Sequence, residues 1–286
     1  MIQVYWKGKL RKPKEVVISP VNTGLFYGES LFESIPVYCG GPLYLQEHIK
    51  RLKKGCRFLG WPSLPESEFR KAVRLFTRYL GPRSNFLIRF NLVQDLKEST
   101  NPRHFSSDQP SLFGVARPLR HDPQHVEPLN GRVGTSPWLA SNKFHFPNHF
   151  KAAVYLTTRQ VFRKHPRWDD VLRLNERGYV VDGGSSTPLW FDGKKVCAPP
   201  LSLGGLESVT RGRILAMARK IKVRVVEKAW KPAEVLKRGE LFLVGSGVGV
   251  MAVSHLQSRK LKACGVVSKK LWQCYRDQAL KQANKR

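Results

Sequence analysis

Acid is scarce in this sequence relative to base. Against 50 lysines and arginines stand 21 aspartates and glutamates, a formal charge of +29. Charge of that size suggests anionic partners, but it speaks to steering and non-specific adhesion rather than to a site. The basic residues run along the whole chain, and only the stretch after Gln257 is a local cluster, whose Leu, Val and Trp spacing reads as a folded helix. Specific nucleic-acid binding is therefore not expected. Cysteine is scarce as well. Cys39, Cys56, Cys197, Cys264 and Cys274 are scattered, odd in number and form no CxxC, which points to reduced thiols in a cytoplasm and to no metal site. No apolar run approaches the roughly 20 residues of a membrane span. The first residues, MIQVYWKGKLRKPKEVV, lack the apolar core of a secretory signal. Heptads, repeats and low-complexity tracts are absent too. What remains is globular: 286 residues, 41% hydrophobic and 10% aromatic, enough for one large or two modest domains.

The pattern of elements is mixed. IQVYW and EVVISP read as strands around a turn-rich KGKLRKPK. FESIPVY, a Gly-Gly turn and LYL read as a hairpin. LQEHIKRLKKGCRFLG has Ile49, Leu52, Cys56 and Leu59 at helical spacing, and the stretch after WPSLP begins a second helix. NFLIRFNLVQ is strand-like. From about Lys97 to Pro128 the chain is rich in Pro, His, Ser and Asp, with a strand-like SLFGVA in the middle, and reads as a linker. Beyond it, AAVYLTTRQVFRKH and SVTRGRILAMARKIK read as helices, KPAEVLKRG as a short one and SKKLWQCYRDQALKQ as the last. DDVLRLN, YVVDG, PLWFDGKKVCAPP, VRVVEKAW and ELFLVGSGVGVMAVSHL supply short strands. Two unlike halves of this kind imply an α+β or α/β protein of two domains.

Four segments carry candidate chemistry. In SVTRGRIL, Ser208, Val209 and Thr210 precede a helix whose first-turn amides and positive dipole end suit a phosphate, although Ser or Thr there is more often a simple cap. In VGSGVGV, Ser246 lies in a glycine-rich turn of the kind that forms an anion nest or, more commonly, an ordinary hairpin. In GYVVDGGSSTPLWF, Asp182 ends a strand, where a carboxylate usually serves a turn. In HFKAAVYL, Lys151 sits beside apolar Phe150 and Val154, whose burial would favour a neutral, nucleophilic amine. An amine for a Schiff base, a carboxylate for a pyridine nitrogen and donors for a phosphate together suggest pyridoxal phosphate.

These segments also carry a resemblance. GLFYGESLFESIPVY, LQEHIKRL, HFKAAVYL, RGYVVDGGSSTPLWF, LESVTRGRIL and FLVGSGVGVMAV, in this order, resemble the motifs of class IV aminotransferases, the fold-type IV pyridoxal-phosphate enzymes. That family includes branched-chain aminotransferase, D-amino-acid aminotransferase and 4-amino-4-deoxychorismate lyase. The resemblance spans about residues 1 to 256. It implies a two-domain α+β fold like that of D-amino-acid aminotransferase. A smaller domain would cover residues 1–118 and a larger, barrel-like cofactor domain residues 119–286, with pyridoxal 5'-phosphate in the interdomain cleft of a homodimer.

The resemblance also implies residue roles. Lys151 carries the cofactor, with Lys143 as a rival. Arg51, Val209, Thr210 and Ser246 hold the phosphate. Asp182 serves the pyridine nitrogen and Tyr155 the phenolic oxygen. Phe32, Ser34, Tyr38 and Arg89 belong to the substrate side. There are departures: Asp182 replaces the family's glutamate, Ser186-Thr187 its SN pair, Ser208 a glycine and Pro36 an arginine. The lyase, which eliminates pyruvate to leave 4-aminobenzoate, is narrowly favoured by the four-residue spacing from Lys151 to Tyr155 and by the aromatic end of the strand after Asp182. An amino-acid aminotransferase, branched-chain or D-specific, comes next. A non-catalytic basic homologue binding an anionic partner is the third alternative.

Overall fold

The structure is a computed structural model that describes residues 2–96, 101, 103, 108–140, 147, 149–261 and 265–283. The chain divides into two compact units. The first comprises Met1–Leu119, His149–Val154 and Leu280–Arg286; the second comprises Arg120–Asn148 and Tyr155–Ala279.

The first unit is built on an antiparallel sheet in the order β2-β1-β6-β5-β3-β4. Its strands are β1 (Val4–Trp6), β2 (Lys9–Arg11), β3 (Leu31–Tyr38), β4 (Gly41–Pro42), β5 (Asn85–Val93) and β6 (Ser111–Pro118). Its helices are the short α1 (Thr23–Phe26), α2 (Leu45–Phe58) and α3 (Glu66–Leu80). Successive residues of its strands face opposite sides of the sheet. Leu31, Ile35 and Val37 of β3 and Ile88, Phe90 and Leu92 of β5 are buried in one core with Ile49, Leu52 and Cys56 of α2 and Phe69 and Phe76 of α3. The alternate residues Phe32, Ser34 and Tyr38, with Arg89 and Asn91, share the other face.

Two strand assignments change. Lys7 and Gly8 both have positive φ, 45° and 77°, so β1 and β2 form a tight two-residue hairpin, and Lys9–Arg11 of the turn-rich KGKLRKPK is strand. EVVISP is not a strand: Pro13–Glu15 is a turn of 3-10 helix and an extended run follows. In the β3–β4 hairpin the positive-φ pair is Cys39–Gly40 rather than two glycines. The strand-like SLFGVA is the heart of β6 and pairs with both β1 and β5, so it belongs to the first unit's sheet rather than to a linker.

The second unit contains β7 (Leu129–Thr135), β8 (Asp170–Leu174), β9 (Val180–Gly183), β10 (Thr187–Phe191), β11 (Lys195–Ala198), β12 (Arg224–Glu227), β13 (Glu240–Gly245), β14 (Gly249–Leu256) and β15 (Arg259–Lys260). The sheet runs β12-β11-β10-β13-β14-β7-β8-β9, with β15 on β14. It curls, because β9 turns directly into β10 through a Gly183 N–H to Ser186 carbonyl bond of 2.9 Å. β7 has no counterpart in the sequence reading, since LNGRVGT lacks an apolar alternation. Four helices accompany the sheet: α4 (Leu156–Lys164), α5 (Val209–Lys220), α6 (Pro232–Lys237) and α7 (Val266–Ala283). The amino end of α7 is capped by buried Glu240, whose carboxylate accepts the Val267 and Ser268 N–H groups and the Ser268 hydroxyl. Among the described residues no helix is long and apolar enough to cross a membrane.

One close approach tests the first unit's packing. A Cβ on Gly114 of β6 would lie 3.0 and 3.1 Å from the ring of buried Phe90 on β5. Gly114→Ala is expected to lower unfolding stability by about 1–3 kcal/mol in urea melts; an unchanged midpoint contradicts this packing.

Candidate active site

Lys151 is placed by backbone pairing. The Phe32 N–H donates to the Lys151 carbonyl at 2.9 Å and the Ala153 N–H to the Ser30 carbonyl at 3.1 Å, so the segment lies antiparallel to the start of β3, with Leu31 opposite Ala152. Phe150, buried in the first unit's core, anchors it against Phe58 at 4.8 Å between ring centroids. Val154 is 64% exposed, so the apolar shelter expected from it is absent. The Lys151 Nζ lies 4.6 Å from the centroid of the Phe32 ring, and the Arg89 guanidinium carbon lies 3.9 Å from the same centroid. Two cations thus lie against one aromatic ring, and Arg89 is steadied by its Nε–H bond to Asn91 Oδ1 at 2.9 Å. Tyr38 lies farther along the same face, buried. Lys143 lies outside the described residues.

Arg51 is held from the opposite face of β3. Glu33, 1% exposed, accepts Arg51 Nε–H on Oε1 and Arg51 Nη2–H on Oε2, both at 2.7 Å, and His48 Nδ1 meets Oε2 at 2.7 Å. Burial alone would raise the Glu33 pKa. The Arg51 guanidinium and His48 outweigh it and hold the carboxyl down to about 2. Burial lowers the His48 pKa, and the Arg51 and Lys151 cations push the same way against Glu33, so a neutral imidazole donates to the carboxylate. Removing one member of so buried an ion pair costs roughly 3–5 kcal/mol. Glu33 stands in the quoted FE segment and His48 in EHIKRL, but sequence spacing alone assigns no role to either.

The second unit gathers the phosphate-type groups. Val209 and Thr210 are the first two residues of α5, whose first-turn amides have no intrahelical acceptor. Ser208, in place of the family's glycine, caps the helix: its Oγ accepts the Arg211 N–H at 3.2 Å. The hydroxyl of Thr210, a residue only 2% exposed, lies 3.4 Å from that of Ser246, in the turn between β13 and β14. The two segments named from sequence therefore meet. Asp182 is on β9, its Oδ1 accepting the Gly183 N–H at 2.9 Å and its Oδ2 the Leu206 N–H at 3.0 Å. The loop before α5 reaches it because Gly205 passes the Val181 carbonyl closely, where a Cβ would come within 2.5 Å. Burial lifts the Asp182 pKa to about 6 against the pull of those two N–H bonds, and neighbouring Asp170 adds to the rise.

Asp170 itself was not anticipated. Buried at 2% exposure, it accepts the Ser185 N–H and hydroxyl at 3.1 and 3.0 Å and also the Ser186 hydroxyl, pinning the turn after Asp182. Tyr155 does not lie within a helix. It is the N-cap of α4, partly buried, because the helix begins only at Leu156. Among the described residues no cluster of His, Cys, Asp or Glu could hold a metal ion.

A hydroxyl pair at a helix start, with a partly buried carboxylate in the same unit, suits the phosphate and ring nitrogen of pyridoxal phosphate. An amine against an aromatic ring, with a buried arginine, suits its aldehyde and phosphate ends. The model for amino-transferase class IV matches residues 30–256, and the chain belongs to that family of pyridoxal-phosphate enzymes.

Similar proteins include one from Methanocaldococcus jannaschii, provisionally named a branched-chain-amino-acid aminotransferase. It is 24% identical over 96% of this chain and 96% of its own. An aminodeoxychorismate lyase from Bacillus subtilis is 21% identical over 89% and 86%. Among solved structures, the branched-chain aminotransferase of Thermoproteus uzoniensis with norvaline superposes with a TM-score of 0.85 at 24% identity, over 99% of this chain and 96% of that one. The Thermobaculum terrenum enzyme in its PLP form gives 0.83 at 19%, over 98% and 94%. At these identities the superpositions establish the shared fold.

The Asp182 carboxyl yields a signed pH prediction. Its folded pKa of about 6 stands above the ordinary 3.8, so the fold favours the protonated form and stability drains as pH rises from about 4 to about 6. Asp182→Asn should remove this component. Its melting temperature without cofactor is expected to gain on the wild type across that window; parallel curves would contradict it.

Proposed function

We propose that this chain is an amino-acid aminotransferase that binds pyridoxal phosphate. The observation that carries the reading is the Lys151 amine, docked on β3 over the Phe32 ring beside Arg89. When bound, the cofactor supplies an electron sink for charge developing at the substrate's α-carbon. Lys151 Nζ holds the cofactor's aldehyde carbon in the resting enzyme. As a free amine it would carry the substrate's α-proton, acting as general base and then as general acid. Arg51, the first-turn amides of Val209 and Thr210, and the Thr210 and Ser246 hydroxyls hold the phosphate. Asp182 keeps a proton on the ring nitrogen, and Tyr155 donates to the phenolic oxygen. Arg89 takes the substrate carboxylate, while Phe32 and Tyr38 wall its side chain. The aspartate is one methylene shorter than the family's glutamate, and the loop carrying Leu206 presses close enough to orient it.

Transamination of a branched-chain or D-amino acid comes first because most of the relatives bear an aminotransferase name. That moves the reading away from the lyase narrowly favoured by sequence. Elimination of pyruvate from aminodeoxychorismate stands second, supported by the Lys151–Tyr155 spacing and the Bacillus relative. A homodimer and a cytoplasmic location belong to the same proposal. Leu25 and Phe26, 72% and 50% exposed, offer apolar surface for a second copy.

The test is product analysis. Protein loaded with pyridoxal phosphate and given branched-chain or D-amino acids with a keto-acid acceptor is expected to form the matching keto acid, and Lys151→Ala to lose about 1,000-fold. Pyruvate and 4-aminobenzoate from aminodeoxychorismate, without keto-acid exchange, would instead establish the second reading. Neither reaction, with salt-dependent binding of polyanions, would leave the non-catalytic alternative.

A further inference from the structure

Two neighbouring residues of β3 anchor two functional groups. Phe32 offers its N–H to the Lys151 carbonyl and its ring to the Lys151 Nζ. Glu33, the next residue, grips Arg51 by Nε and Nη2. Successive side chains of a strand point to opposite faces, so a single peptide of β3 holds the lysine on one side and the arginine on the other.

We propose that Glu33 is a positioning residue for cofactor phosphate: assisted by His48, it locks the Arg51 guanidinium at a fixed reach from Lys151, so that the pair is matched to a phosphorylated pyridoxal. The inference rests on the phosphate role given to Arg51 above. Three features support it. A guanidinium gripped side-on through Nε and Nη2 cannot rotate about its terminal bonds, which leaves the direction of its third nitrogen determined. The carboxylate is itself immobilised, because Oε2 takes both Arg51 Nη2–H and the His48 ring while Oε1 takes Arg51 Nε–H. Both Glu33 and His48 are 1% exposed, so water does not compete for these bonds. A tie serving only to dock α2 on the sheet has a cheaper alternative in apolar residues of similar volume.

The test measures binding of pyridoxal phosphate and of unphosphorylated pyridoxal to cofactor-free full-length protein, by absorbance titration. The ratio of the two affinities isolates the phosphate contribution. A purely structural role for Glu33 would weaken both ligands alike and leave the ratio unchanged. The expected result is a drop of about tenfold or more in the ratio for Glu33→Gln and for Arg51→Lys, with little further drop in the double variant, since both disable one unit. Glu33→Asp, which keeps the charge but withdraws it by one methylene, should show an intermediate drop. His48→Phe, which removes only the third contact, should show a smaller one and serves if the Glu33 variants do not fold. If Arg51→Lys lowers the ratio while the folded Glu33 and His48 variants keep it, the positioning role is overturned and the phosphate role of Arg51 survives. If Arg51→Lys leaves the ratio intact, the phosphate role itself fails, and the positioning role with it.

Discussion

A carboxylate buried to 1% exposure, Glu33, is the interaction on which the first unit's chemistry depends. It binds α2 to β3 through two residues of the helix, His48 and Arg51, and fixes the direction of the Arg51 guanidinium. Because the strand alternates, the residue before it is free to face the other way and receive the Lys151 segment. Core and site are thus joined by one strand, and the cost of burying charge is offset by three short hydrogen bonds rather than by solvent.

The second unit follows a different logic. Its groups come from turns: the start of α5, the β13–β14 turn and the tight exchange from β9 to β10. Asp170, beneath that exchange, ties down Ser185 and Ser186, and Gly205 brings a backbone amide onto Asp182. The hydroxyls and the carboxylate are held by short-range geometry, with little need for charge. Of the many cations, Arg173 acts on Asp182, pulling its carboxyl pKa down against burial.

Much of this was legible before any coordinates. The helix over Leu45–Phe58 and the strand carrying Asp182 could be read because each has a local signature, a 3.6-residue apolar period or glycines at a turn, whereas the shared role of Thr210 and Ser246 came from the family resemblance. The rest was hidden for physical reasons. Lys151 sits on an extended segment rather than in a helix because its pairing partner, β3, lies more than a hundred residues away, and no local pattern announces that. Tyr155 changes from helix interior to N-cap for the same reason. β7 is a strand by tertiary pairing alone. Glu33, His48 and Asp170 look like ordinary polar residues in sequence, since nothing local says that a carboxylate will be enclosed. Lys7–Gly8 passed for a loop although two residues suffice for a hairpin.

The central claim is that Lys151 carries the cofactor, and it can be tested directly. The purified protein would be saturated with pyridoxal phosphate, reduced with borohydride, digested and mapped by mass spectrometry. The account predicts a single pyridoxyl label on the peptide containing Lys151. A label on Lys143, or no label at all, would contradict it.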